Sequence, residues 1–186
     1  MAVAENGNLK SVGIFCFLFL LYALRFFLIG HLQLTPDEAF YWYWAKNLSL
    51  SYVDHPPMVA YIMALFTWIG GDNELSVRIG GLLCTLVCHI FLYATVRRLS
   101  GGDADLPWEF LFVFNLTLLF SGGCVVQTPD TPLLLFWTIG LYGCARVVTG
   151  GGKGGWYVAG IALGLGLLSK YTMVLLVPCM LAFLLF

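Results

Sequence analysis

Long apolar runs separated by short polar or glycine-rich breaks dominate the chain. A helix that crosses a bilayer needs about 20 mostly apolar residues. The pattern predicts such helices at residues 12–30, 76–96, 107–122, 132–148, 156–169 and 171–186. The last is the weakest, because the residues after Lys170 rise only about 24 Å as a helix against a hydrocarbon core of roughly 30 Å. Segment 31–75 breaks the pattern: it is long for a connection, yet it is not polar. Thr35 is placed to cap a helix with Pro36 in its first turn, running from Asp37 through Phe40-Tyr41-Trp42-Tyr43-Trp44 to Lys46. After a turn at residues 49–57, Met58 to Ile69 gives a second helix, too short to span and suited to the membrane surface. The predicted fold class is therefore all-α integral membrane, with about five to six transmembrane helices and juxtamembrane helices in a long first outer loop.

Composition agrees with this solvent. The chain is 60% hydrophobic and 10% charged, with a formal net charge of −1, where a soluble domain carries about 25% charged residues. That balance excludes a disordered chain and leaves no basic surface for nucleic acid. The six cysteines all lie in apolar stretches without a Cys-x-x-Cys pair, as expected of buried small hydrophobes rather than a disulfide framework. Cys84, Cys88 and His89 lie close together, but no carboxylate or second histidine accompanies them as a metal site needs. Gly160, Gly164 and Gly166 form a small-residue face expected to serve helix packing.

The scarce charges are distributed unevenly. Lys10, Arg97, Arg98, Arg146 and Lys153 fall on the side of the N-terminus, which the positive-inside tendency places in the cytoplasm. Asp37, Glu38, Asp54, Asp72, Glu74 and Asp130 fall on the opposite, outer side. Arg25 interrupts the first span, either snorkelling or serving a site. Polar clusters recur on the outer side at Thr35-Pro36-Asp37-Glu38, Asp54-His55-Pro56-Pro57 and Gln127-Thr128-Pro129-Asp130-Thr131-Pro132, with Lys170 at the same level. Asp37 and Asp130 suit the N-terminal turn of a helix, where a carboxylate offsets the macrodipole. Equally, a carboxylate there can take a proton from a hydroxyl or hold a metal, and a lysine can hold a phosphate.

Asp37-Glu38 followed by aromatics, Tyr52-Val53-Asp54-His55-Pro56-Pro57, Val77-Arg78 opening the next span, Thr128-Pro129-Asp130-Thr131-Pro132-Leu133 and Gly164-Leu165-Gly166-Leu167-Leu168-Ser169-Lys170-Tyr171-Thr172 occur in that order. Together they resemble the polytopic C-type glycosyltransferases, nearest to the bacterial protein-mannosyltransferase and aminoarabinose-transferase group. The resemblance runs from about Leu20 to Val177. It implies an enzyme of the bacterial inner membrane that moves a sugar from a polyprenyl-phosphate carrier to a lipid, glycan or protein hydroxyl on the outer face. It implies Asp37 as general base with Glu38 as its neighbour, and Asp130 orienting acceptor or donor. It further implies His55 and Lys170 at the carrier phosphate, with Asp54 as a candidate ligand of a divalent metal. Some relatives place an arginine where this chain has Phe40, so one phosphate contact is missing or supplied elsewhere. The chain, residues 1–186, is expected to be the N-terminal part of such a protein.

Two readings stand beside this one. His55 also fits a pH-sensitive packing residue. A transporter or flippase would use Arg25 and Lys170 to line a substrate path, but no internal repeat is visible and the charges gather at one face.

Overall fold

A computed structural model describes residues 2–123 and 125–185; Cys124 and Phe186, at the end of the expected sixth span, lie outside them. The described residues are helical throughout, without a strand. The first helix, α1, covers Ala2–His31, and its Leu9–His31 portion is long and apolar enough to cross a membrane. Two short helices follow, α2 at Pro36–Lys46 and α3 at Met58–Gly70. Helix α4 (Glu74–Leu99) is a second helix of spanning length, and α7 (Asp130–Val148) a third. Between them lie α5 (Leu106–Asn115) and α6 (Leu118–Gly123); after them come α8 (Gly154–Leu167), a 3₁₀ turn at Tyr171–Leu175 and α9 (Leu176–Leu185).

Three helices among the described residues thus have the length and composition of a span, against the five to six expected. The expected third span, 107–122, is interrupted. Asn115 turns its side chain into the protein and Thr117 Oγ1 donates to the Phe114 carbonyl at 2.7 Å. Side chains that bond nearby backbone in this way compete with the helical ladder, and α5 and α6 each stop short of the bilayer thickness. The expected fifth span ends at Leu167, and its 14 residues rise about 21 Å.

Helix α4 is the centre of the bundle, packing against α1, α3, α5 and α7. Arg25 sits on the α1 side of this packing and is only 2% exposed, so it does not snorkel. Its Nη1 donates to Asn115 Oδ1 at 3.0 Å, and Asn115 Nδ2 lies 2.6 Å from His89 Nε2. His89 Nδ1 in turn is 2.9 Å from the Tyr22 hydroxyl and 2.8 Å from the Thr85 carbonyl. With Nε2 accepting from Asn115, the proton belongs on Nδ1, and the network is self-consistent with a neutral imidazole. The guanidinium also faces the rings of Tyr22 and Phe120, at 5.4 and 6.0 Å. Among the described residues this cation is held by one hydrogen bond and two ring faces, with no ion pair to a carboxylate. An apolar groove of about 530 Å³ runs between α1, α4 and α5 past Phe15, Tyr22, His89 and Trp108.

Helices α7 and α8 approach most closely through glycines other than those the sequence pattern singled out. A Cβ at Gly143 would lie 2.6 Å from the Ala159 nitrogen and 2.8 Å from the Gly155 oxygen. Gly160 and Gly164 instead face open space, so the small-residue stripe expected there is not the contact between these two helices. Only Gly166 of that set makes a close approach, to Met173. Gly143→Val therefore forces backbone apart and is expected to lower stability by about 1–3 kcal/mol. Gly160→Ala is expected to leave it unchanged or slightly raised. Thermal melting of the two variants in detergent distinguishes the faces.

Candidate active site

The cluster around Glu38 organises one end of the bundle. Helix α2 opens with a capping box: Thr35 Oγ1 accepts from the Glu38 N–H at 3.3 Å, and Glu38 Oε2 accepts from the Thr35 N–H at 2.9 Å. This turns the Glu38 carboxylate inward, where it is wholly buried against Arg78 of α4. Arg78 Nε and Nη2 donate to Glu38 Oε1 and Oε2, both at 2.7 Å. The remaining guanidinium hydrogens reach the carbonyls of Ile29 (3.2 Å), Leu32 (2.6 Å) and Gln33 (2.8 Å), at and just beyond the C-terminus of α1. All five N–H donors of the guanidinium are thus used. Gln127, three residues before α7, gives its backbone N–H to Glu38 Oε1 at 2.9 Å. Burial pushes the Glu38 carboxyl upward, but the hydrogen bonds from Arg78, Thr35 and Gln127, with the guanidinium charge, outweigh it and hold the group below its ordinary range.

Asp37 takes the opposite direction. It occupies the first turn of α2 beside Pro36, is exposed, and has no hydrogen bond or ion pair with a described residue. One turn on, the Tyr41 ring is buried in the packing of α2 on α3 with Trp44, Val59 and Met63. Desolvation raises the Tyr41 phenol, and the charges of Asp37, Asp130 and Asp54 raise it further. Carboxylates from three separate segments thus lie within electrostatic reach of one hydroxyl.

The other expected residues meet at the same place. Lys170 follows the end of α8, and its ammonium contacts both oxygens of Asp130, at 2.8 and 3.0 Å. The backbone just after Pro57 is fastened to the same corner, since the Met58 N–H donates to the Leu168 carbonyl at 3.0 Å. His55 lies partly buried with its ring 6.1 Å from Tyr41 and 6.5 Å from Trp44, both edge to face. The loop that carries it is pinned by Tyr52, which stacks on Trp44 at 4.3 Å and donates to the Trp44 carbonyl. Asp54 is exposed. Among the described residues no three His, Cys, Asp or Glu side chains come together as a metal-ligand set.

The clusters named from the sequence are thus joined pairwise: Glu38 to Gln127, Asp130 to Lys170, and the loop after Pro57 to Leu168. Arg25 lies in the α1–α4–α5 packing bonded to Asn115, whereas Lys170 is paired with Asp130. The pattern did not single out Arg78 or Tyr41 as site residues. The signal for Arg78 was the cost of burying a cation at the start of a span, which demands an acidic partner from another segment.

Residues 54–186 match the family described as dolichyl-phosphate-mannose-protein mannosyltransferase. The chain belongs to this family. A lipid A galacturonosyltransferase of Rhizobium johnstonii is 30% identical over 143 residues, covering 76% of this chain and 30% of that protein. An undecaprenyl phosphate-alpha-4-amino-4-deoxy-L-arabinose arabinosyl transferase of Edwardsiella ictaluri is 26% identical over 168 residues, covering 80% of this chain and 30% of its own. A transferase of the same description from Photorhabdus laumondii is 23% identical over 197 residues, covering 93% and 34%. The chain therefore spans about a third of the length of these relatives. No solved structure is significantly similar. Membership in the mannosyltransferase family removes the ground for a transporter reading and matches the order of motifs along the sequence.

Proposed function

We propose that this chain carries the donor-and-catalysis part of a glycosyltransferase that moves a sugar from a polyprenyl-phosphate carrier to a hydroxyl acceptor on the outer face of the bacterial inner membrane. The observation that carries the reading is the convergence of Asp37, Asp54, His55, Asp130 and Lys170 at one end of the bundle, held by the Glu38–Arg78 pair. The excess of lysine and arginine at the opposite end supports placing this end outside. The names of the relatives support a lipid-linked sugar as donor and lipid A as acceptor class.

In this mechanism Asp37 accepts the proton of the acceptor hydroxyl as that oxygen attacks the anomeric carbon. The bond from that carbon to the carrier phosphate oxygen breaks, and the phosphate leaves with the electron pair. Asp37 suits the task because its carboxylate has no competing partner among the described residues. Lys170 and His55 meet the charge gathering on the phosphate. Asp130 holds the Lys170 ammonium in place until the anion arrives. Glu38 is assigned a positioning role, because its carboxylate is buried and fully engaged.

The test is sugar transfer by the purified full-length protein in liposomes, from polyprenyl-phosphate sugars to lipid A. Absence of transfer from every such donor overturns the reading. In the same assay Lys170→Met is expected to raise the KM for the donor roughly 10–100-fold, the size of a charge-assisted hydrogen bond. An unchanged KM removes Lys170 from the phosphate site.

A further inference from the structure

We propose that Tyr41 is a specificity-determining residue whose phenol donates a hydrogen bond to a sugar hydroxyl, with the neighbouring carboxylates receiving that hydroxyl's own proton. The inference rests on the glycosyl-transfer reading above and names a contact that the reading leaves open. Asp37 and Tyr41 are four residues apart on α2 and so share one face of the helix. The ring is fixed by burial among Trp44, Ala45, Val59 and Met63, and by the edge contact with His55. Yet its hydroxyl makes no hydrogen bond to a described residue.

What surrounds that hydroxyl decides the ligand. Asp37, Asp54 and Asp130 act on it from α2, from the loop before α3 and from the start of α7. Ionised carboxylates only accept hydrogen bonds, and the Lys170 ammonium is committed to Asp130. The phenol, protonated at neutral pH as a tyrosine ordinarily is, is therefore a donor near acceptors, with Asp37 one turn back on the same face of α2. A phosphate finds its cation at Lys170 and gains only one neutral donor from this phenol, which does not suit it. A sugar hydroxyl suits it well, since it accepts from the phenol while giving its hydrogen to a carboxylate.

The hydroxyl can belong to the transferred sugar or to a glycan acceptor, and the experiment separates them. Full-length wild-type protein and Tyr41→Phe are compared on the parent donor and on donors lacking single ring hydroxyls, and then on parent and deoxygenated acceptors. The variant keeps the ring and removes only the donor. The expected result is a loss of roughly 2–10-fold in kcat/KM for the parent sugar on Tyr41→Phe, with no loss for the one deoxy analogue that lacks the contacted hydroxyl. The arm in which that cancellation occurs identifies the sugar. Each comparison is a ratio on one preparation, so a change in folded fraction does not imitate it. Equal losses on every analogue, or no loss on the parent sugar, overturn the proposal. Failure of wild-type protein to transfer from any polyprenyl-phosphate sugar overturns the underlying reading and this contact with it.

Discussion

Asp37→Asn in the full-length protein is expected to lower turnover about 10²–10⁴-fold, the usual contribution of a positioned general base. The substitution is nearly isosteric and removes only the capacity to take a proton. Asp37 is exposed, and no described residue bonds to it, so nothing in the packing depends on its charge. The N-terminal turn of α2 loses a carboxylate that interacts with the helix dipole, which is worth about 0.3–1 kcal/mol at most exposed sites. Melting is therefore expected to shift little while the rate collapses. The donor KM is expected to stay within a few-fold of wild type, because the phosphate contacts are proposed at Lys170 and His55. Near-wild-type turnover by Asp37→Asn removes it as the base and turns attention to Asp54, another exposed carboxylate beside Tyr41. A large fall in melting temperature instead assigns Asp37 a structural role.

Much of this arrangement was legible in the sequence because each local signal had one cheap solution. Thr35-Pro36-Asp37-Glu38 is a complete helix-start signature, and α2 begins at Pro36 with its capping box formed. Met58 to Ile69 is apolar but short, and α3 ends at Gly70. The spans built on single long apolar runs, α1, α4 and α7, form close to their expected bounds. The failures fall where a buried polar group overrides periodicity. Asn115 reads as one more residue in an apolar run, but its amide oxygen accepts a hydrogen bond from Arg25 across the bundle and the helix stops there. The glycine stripe at Gly160 and Gly164 carries the right spacing, yet spacing does not say which side of α8 meets α7. The two members of the acidic pair at Asp37-Glu38 look equivalent along the chain. Adjacent residues in a helix point about 100° apart, so one turns to Arg78 and the other outward. That division of labour needed the partner on α4 to become visible.

Arg78→Met is expected to cost about 3–5 kcal/mol of stability, because it leaves the Glu38 carboxylate buried without its counter-charge. It also strips hydrogen bonds from the Ile29, Leu32 and Gln33 carbonyls, so the end of α1 loosens from α4. Glu38→Gln is expected to be milder in volume yet still damaging, since its amide sets N–H groups against the donors of Arg78. The double variant Glu38→Met/Arg78→Met removes both charges and is expected to recover part of the stability lost by Arg78→Met alone. Activity is expected not to follow that recovery. The pair joins α1, α2, α4 and the segment before α7, so an apolar substitute restores packing without fixing Asp37 relative to Asp130. Melting of these proteins and of Glu38→Met in detergent, beside their transfer rates, completes the cycle. The wild-type pair also has a pH signature: the folded Glu38 carboxyl lies below its ordinary value of 4.5, so its contribution is complete above that value and is lost as pH falls through the lower, folded one. Acid melting curves of wild type and the double variant should therefore converge below about pH 4.5. Equal acid sensitivity of the two shows that the pair contributes no pH-dependent stability, and recovery of transfer with recovery of melting shows that it does not position the base.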